Sequence, residues 1–146
     1  LTRHTFFSTL KAGIAHGMSI TFEMVKVIVP FYIAIEFIKR SGLLDIIGDF
    51  CKPFMGLFGL PGECALGLVV GYFVNLYAAI AVLAPLHLPA REITVMALML
   101  GIAHSLPVEA AVTAKTEVNA WILTAARIVL SLLSGAVLNL VWKPFS

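Results

Sequence analysis

Hydrophobic positions in this chain come in long blocks of helical length, separated by short clusters of polar residues. Met18 to Ile38, MSITFEMVKVIVPFYIAIEFI, is long enough to cross a bilayer core as a helix. Glu23 and Lys26 stand three residues apart on one face of it, where each can neutralise the other, and Pro30 is placed to kink it near the middle. Ahead of it, Thr5 to His16 sets Phe6, Phe7, Leu10 and Ile14 at helical spacing, which predicts an amphipathic helix lying in the membrane interface. Leu43 to Phe58 separates Asp45, Asp49 and Lys52 from Leu44, Ile47, Phe50 and Phe54, as an interfacial or half-inserted helix would. The sequence GLPG at 59–62 is a turn signal. Ala65 to Leu86 is an apolar run of span length with Asn75 at its centre. Gly67 and Gly71, four residues apart in that run, form a small surface suited to close helix contact.

The second half of the chain is less regular. Pro85, His87 and Pro89 mark a loop, and Glu92 to Ser105 is apolar but only about half of a comfortable span. Val108 to Asn119 reads as helical and polar. Ala120 to Trp142 is the last span, with Trp121 and Trp142 as interface anchors. Arg127 lies inside it and needs a carboxylate or a route to the interface. Glu117 is off its face, so the partner is expected on another helix.

Composition turns this pattern into a fold class. Sixty per cent of the residues are hydrophobic and 12% charged, whereas a soluble domain is near one half and one quarter. The long apolar runs, without short alternating strands, favour helices over a barrel. The expectation is an all-α, polytopic membrane protein of the bacterial inner (cytoplasmic) membrane. It would have two or three full spans and one or two broken or re-entrant segments. Residues 1–17 would form the interfacial helix and 18–146 the transmembrane domain. Basic residues are spread along the chain, so the positive-inside rule favours neither orientation. A net charge of +2 and the lack of a basic patch with interleaved aromatics argue against nucleic acid as a partner. Cys51 and Cys64 fit no metal or redox spacing and are expected to pack as small hydrophobes. The first residues lack a signal-peptide core and cleavage site.

The chemistry concentrates in GIAHSLPVEAAVTAKTEVN, residues 101–119, between two blocks of membrane-grade hydrophobicity. Polar side chains at membrane depth are costly and face a cavity, a partner or a substrate. Pro107 interrupts the segment, and a broken helix is tolerated only where protein or a water-lined site satisfies its backbone. His104, Ser105 and Glu109 can converge at that break. Glu109, Thr113 and Glu117 then recur along one helix face. The helix after Pro107 would also present free N–H groups and a positive dipole end. Two other positions have a structural and a functional alternative. Asn75 is either interhelical glue or a substrate hydrogen-bonder. Glu63 either favours a helix N-terminus or sits at the tip of a hairpin opened by Gly62. No metal site is expected, since His104 and Glu109 supply at most two ligands while His4, His16 and His87 lie elsewhere. Neither a nucleophile motif nor a phosphate-binding loop is present, so neither catalysis nor a cofactor is expected.

Three stretches together carry a family resemblance: FIKRSGLLDIIGDFCKP at 37–53, GLPGE at 59–63 and HSLPVEAAV at 104–112. With them the chain resembles the nucleoside-recognition, or Gate, domain family. Similar domains occur in spore maturation proteins A and B and in the membrane parts of ferrous-iron and nucleoside transporters. The resemblance implies a helical module whose hairpins and broken helices form a transport site. Full transporters of this type hold two such modules, which implies a homodimer or a paired Gate-domain subunit here. The expected function is transport or gating of a small polar solute, nucleoside-like or ion-coupled. Asn75, His104, Ser105 and Glu109 would be its foremost contacts, followed by Glu63, Thr113 and Glu117. Gly62, Gly67, Gly71 and Pro107 would shape the backbone. The alternative is a membrane scaffold that assembles without transporting anything.

Overall fold

The computed structural model describes residues 3–116 and 118–142. Among these it holds α1 (Arg3–Arg40), α2 (Leu43–Met55), α3 (Cys64–Phe73), α4 (Leu76–Leu83), α5 (Ala90–Ile102), α6 (Leu106–Thr113) and α7 (Ala120–Trp142). Two short 3-10 turns, Gly56–Phe58 and Ala84–Leu86, follow α2 and α4. The described residues form no strand, so the all-α expectation holds. Three stretches are long and apolar enough to cross a membrane: Phe6–Arg40, the broken α5–α6 pair Ala90–Thr113, and Ala120–Trp142. Their outward faces carry exposed Phe22, Ile33, Phe37, Ile122, Leu133 and Leu140. Such surfaces are stable where lipid covers them.

α1 is one helix without a break at residue 17, where the sequence pattern set a boundary between an interfacial helix and a span. The run from Thr5 through Ile38 contains Gly13, Gly17 and Pro30, and helix continues through all three. At 1.5 Å per residue such a helix is roughly 57 Å long, far more than a hydrocarbon core of about 30 Å. Its protein-facing stripe is Met24, Ile28, Phe31, Ile35 and Ile38, at alternating steps of four and three, and it lies against α4. Glu23 and Lys26 do pair, at 3.6 Å, on the exposed face. Lys39 anchors the helix end by donating to the Pro85 carbonyl at 2.8 Å.

α2 has three faces. Leu44, Gly48 and Met55 point inward, with Ile47 and Cys51 partly covered. Asp45, Asp49 and Lys52 form an exposed polar face. Phe50 and Phe54, which the sequence sets apart from the charged residues, form an exposed apolar face. The inward places go to smaller side chains because the next loop lies directly on α2. Gly62 approaches the Gly48 backbone so closely that any Cβ on Gly62 would collide with the Gly48 carbonyl. One face for protein, one apolar face outward and one charged face is what an interfacial helix needs.

The apolar run 65–86 is not a single span. It folds into two antiparallel arms, α3 and α4, that turn at Val74–Asn75. Asn75 is extended (φ −170°, ψ 169°), and its side-chain oxygen accepts the Ala78 N–H at 2.8 Å, capping α4. Gly67 meets Leu83, and Gly71 meets Leu100 of α5 and Ala79, so the small surface serves contacts within the chain. Each arm of about ten residues covers roughly 15 Å, half of a hydrocarbon core.

Candidate functional site

α5 stops at Ile102 because a proline lies just beyond it. Pro107 has no N–H to continue a helix, and its ring would clash with the carbonyl one turn back. The chain therefore kinks through Ala103, His104 and Ser105 before α6 begins with Pro107 in its first turn. Ser105 takes the left-handed conformation (φ 50°, ψ 36°), uncommon for a residue with a Cβ. Such outliers persist where the surroundings hold them. Here the Ser105 N–H donates to the Gly71 carbonyl near the end of α3, at 2.9 Å. The break in α5–α6 is thus fastened to the α3 arm close to its turn.

Breaking a helix leaves carbonyls without partners, and these are expensive away from water. Two at the end of α5, those of Leu100 and Ile102, are met by side chains, and the Met99 carbonyl, which already accepts the Ala103 N–H, takes a second bond. Ser131 Oγ donates to the Met99 carbonyl at 2.6 Å. The His104 ring meets the Leu100 carbonyl through Nδ1 at 2.9 Å. Arg127 Nε donates to the Ile102 carbonyl at 2.9 Å, placing a cation at a helix C-terminus where the dipole favours it. The other end of the Arg127 guanidinium pairs with Glu109 Oε2, so the arginine finds its carboxylate on another helix, α6. Glu109 Oε1 lies 4.0 Å from His104 Nε2, and all three side chains are partly buried. His104, Ser105, Glu109 and Arg127 therefore form one cluster at the break.

The remaining sequence-derived positions fall elsewhere. Asn75 sits at the α3–α4 turn with its oxygen used as a cap. Glu63 precedes α3 and lies against α2, where a Cβ on Gly48 would come within 2.8 Å of its carboxyl carbon. Thr113 ends α6, and its carbonyl accepts from the Thr116 hydroxyl at 2.7 Å. Glu117 lies outside the described residues. The expected row of free N–H groups at the start of α6 is also reduced. Pro107 has none, and the Val108 and Glu109 N–H groups both donate to the Ser105 carbonyl, at 3.0 and 3.1 Å. No group of three or more His, Cys, Asp or Glu side chains gathers among the described residues to hold a metal ion.

One organising feature escaped the sequence pattern. Arg127, Ser131, Gly135 and Asn139 recur every four residues along the inward face of α7. Arg127 holds the break. Ser131 is fully buried between Met99 and Tyr72, whose hydroxyl lies 2.6 Å from its own. Gly135 lets Met99 and Phe58 pack against the α7 backbone. Asn139 donates to the Leu57 carbonyl at 2.9 Å and accepts from Arg91, which also donates to Gly59 at 3.1 Å. An apolar cavity of about 470 Å³ opens between α4 and α5, lined by Leu76, Ile80, Leu83, Met96, Leu100 and Gly101 among others. It starts beside Asn75 in one arm and shares Leu100 with the end of α5.

Spanning helices, a folded-back helical pair and a broken helix joined at their turns define a multi-pass helical membrane protein built around discontinuous segments. The chain belongs to the Gate family, described as nucleoside recognition, whose model matches residues 21–132. It is 38% identical over 131 residues to membrane protein YvoD of Bacillus subtilis strain 168, an alignment covering 90% of this chain and 42% of YvoD. It is 34% identical over 89 residues to inner membrane protein YjiG of Escherichia coli K12, covering 58% of each. The chain thus spans less than two thirds of the length of either relative. No solved structure matches it. The family, the apolar helices and these relatives make it a multi-pass protein of the bacterial inner membrane.

Proposed function

We propose that the chain forms one module of a carrier for a small polar solute, nucleoside-like in size and polarity, and that the solute is bound where the α3–α4 turn meets the α5–α6 break. The observation that carries this reading is the cluster of His104, Ser105, Glu109 and Arg127 at a helix break within a span-length apolar segment. Ionisable groups there are costly and are retained for a reason. Carriers with discontinuous helices bind their cargo at such breaks, near the midplane and between repeats. The α3–α4 pair supports the reading as a re-entrant hairpin, too short in each arm to cross. The adjoining apolar cavity falls in the size range of small-molecule pockets and would take a ring, while the cluster holds a polar end. Asn75 keeps its amide nitrogen for that polar end, since only its oxygen is used as a cap. Thr113 ends α6 on the margin of this site, while Glu63, at the far end of α3 from the break, takes no part in it.

The carrier would be complete only with a second module. The matched region is less than half of YvoD, so that relative has room for another domain; here the second module would be a further domain, a second copy or a sister subunit. No enzymatic step is part of this proposal.

The test is uptake of radiolabelled uridine and adenosine into proteoliposomes holding the purified chain. Uptake that saturates, and that Glu109→Gln abolishes while the protein stays monodisperse, supports a carrier. The scaffold alternative draws support from the way the cluster also caps α5. It expects no uptake of either nucleoside and no functional loss from Glu109→Gln.

A further inference from the structure

We infer that the ion coupled to this site is a proton, shared between His104 Nε2 and Glu109 Oε1, and not a metal cation; the inference rests on the carrier reading above and deepens it. The neighbour of His104 sets its tautomer. The Leu100 carbonyl can only accept, so the hydrogen of a neutral His104 ring sits on Nδ1, which faces it at 2.9 Å. Nε2 is then a bare lone pair pointing toward Glu109 Oε1 at 4.0 Å. Two acceptors facing each other across that gap make a site for one hydrogen. A proton entering from water binds Nε2 or Oε1, becomes a donor to the other and draws the two together. On leaving it returns to water, and no other bond is made or broken.

The charges around the pair define the rest of its behaviour. Arg127 on α7 holds Glu109 Oε2, keeping the carboxylate in place when the proton is absent. Arg91 and Glu92 lie in the first turn of α5, at the far end of that helix from His104. α3 carries no charged side chain. Its Tyr72 is bonded to Ser131, and Cys64 begins the helix at the opposite end from the break. Among the described residues the site thus has one histidine, one carboxylate and one arginine, so a single proton changes its charge balance.

The same geometry disfavours sodium. Cation sites at broken helices use unwound backbone carbonyls. Here the Ser105 carbonyl of the unwound stretch is taken by the Val108 and Glu109 N–H groups, and the neighbouring carbonyls of Gly71, Leu100 and Ile102 by Ser105, His104 and Arg127, which leaves only those of Ala103 and His104. A guanidinium occupies one carboxylate oxygen and would repel a metal cation from the other. A proton needs only the facing lone pairs that remain.

The test is a solid-supported-membrane recording on proteoliposomes of the full chain, with no solute present. A jump in pH should give a transient charge displacement, and a sodium jump at constant pH should give none. His104→Gln and Glu109→Gln should each bring the pH transient down to that of empty liposomes, while Glu109→Asp retains part of it. In the unmodified protein, nitrogen-15 NMR of the imidazole should find the neutral ring protonated on Nδ1. That measurement needs no variant and is independent of whether the variants fold. A sodium transient, a pH transient unchanged in both Gln variants, or a neutral ring protonated on Nε2 overturns the inference. Nucleoside uptake without any pH transient would sink the proton site and leave the carrier reading standing. A pH transient without uptake would support the proton site and sink the carrier reading.

Discussion

Each end of α7 is held by an arginine, yet the two ends differ in what the arginine touches. Near Asn139, Arg91 donates to a backbone carbonyl and to a neutral amide oxygen, and Asn139 passes the contact on to the Leu57 carbonyl. None of these acceptors changes charge in ordinary conditions. Near the break, Arg127 donates to a carbonyl and pairs with Glu109, which faces His104. Both of those partners can gain or lose a proton. The first arrangement is a fixed latch between α5, α7 and the loop before α3. The second has the same mechanical parts with a titratable centre. In the proposed reading, that difference separates holding the fold from responding to a ligand at the break.

Gly59 is where the latch breaks most severely. This residue has φ 64°, in the left-handed region, and a Cβ there would run into both Asn139 and the Arg91 guanidinium. Gly59→Ala should therefore combine backbone strain with loss of the latch, for about 3 kcal/mol or more. A fluorescence-detected size-exclusion thermostability assay should show the largest fall of any variant proposed here. A variant with unchanged thermostability would mean the loop rearranges freely and is no latch.

Removing the latch without strain is a milder test. Asn139→Leu loses both the bond from Arg91 and the bond to Leu57, at roughly 0.6–2 kcal/mol for each interhelical bond in a membrane. A loss of about 2 kcal/mol is expected. Glu109→Gln should cost about 1 kcal/mol or less, because an amide oxygen still accepts from Arg127 and the amide nitrogen can donate to His104 Nε2. The ranking by stability, Asn139 above Glu109, should invert when the readout is proton binding. If both variants lose stability and proton binding in proportion, the two ends are not different in kind.

Much of this architecture was legible in the sequence, and the gaps have physical causes. Ala120–Trp142 was bounded correctly because polar residues flank an unbroken apolar run. The α5–α6 break was visible because Pro107 and His104-Ser105 interrupt an apolar segment. The need of Arg127 for a carboxylate was visible too, since charge in an apolar helix demands compensation, but its identity depended on how α6 folds back on α7. The α3–α4 pair was read as a single run because a straight span and two folded arms have the same apolar composition. Only Asn75 as a cap, with Gly67 and Gly71 mirrored by Leu83 and Ala79, betrays the turn. The α7 stripe was missed because Ser131, Gly135 and Asn139 are each unexceptional in a membrane helix. Their spacing carries the information.

The smallest expected effect lies midway along α7, where neither arginine reaches. Ser131 has one hydroxyl hydrogen, and the Met99 carbonyl can only accept it, so the Tyr72 hydroxyl must be the donor to Ser131 Oγ. Tyr72→Phe removes that donor and leaves Ser131 still bonded to Met99. The site is buried, but the serine oxygen keeps its more important partner, so the loss should be about 0.5 kcal/mol, the low end for one hydrogen bond. Thermostability measures it directly, and proton binding should be unchanged, because Tyr72 touches neither His104 nor Glu109. A loss of proton binding in Tyr72→Phe would mean that the middle of α7 transmits strain to the break. The two ends would then be coupled, and the distinction between a fixed latch and a titratable centre would give way to a single connected spine.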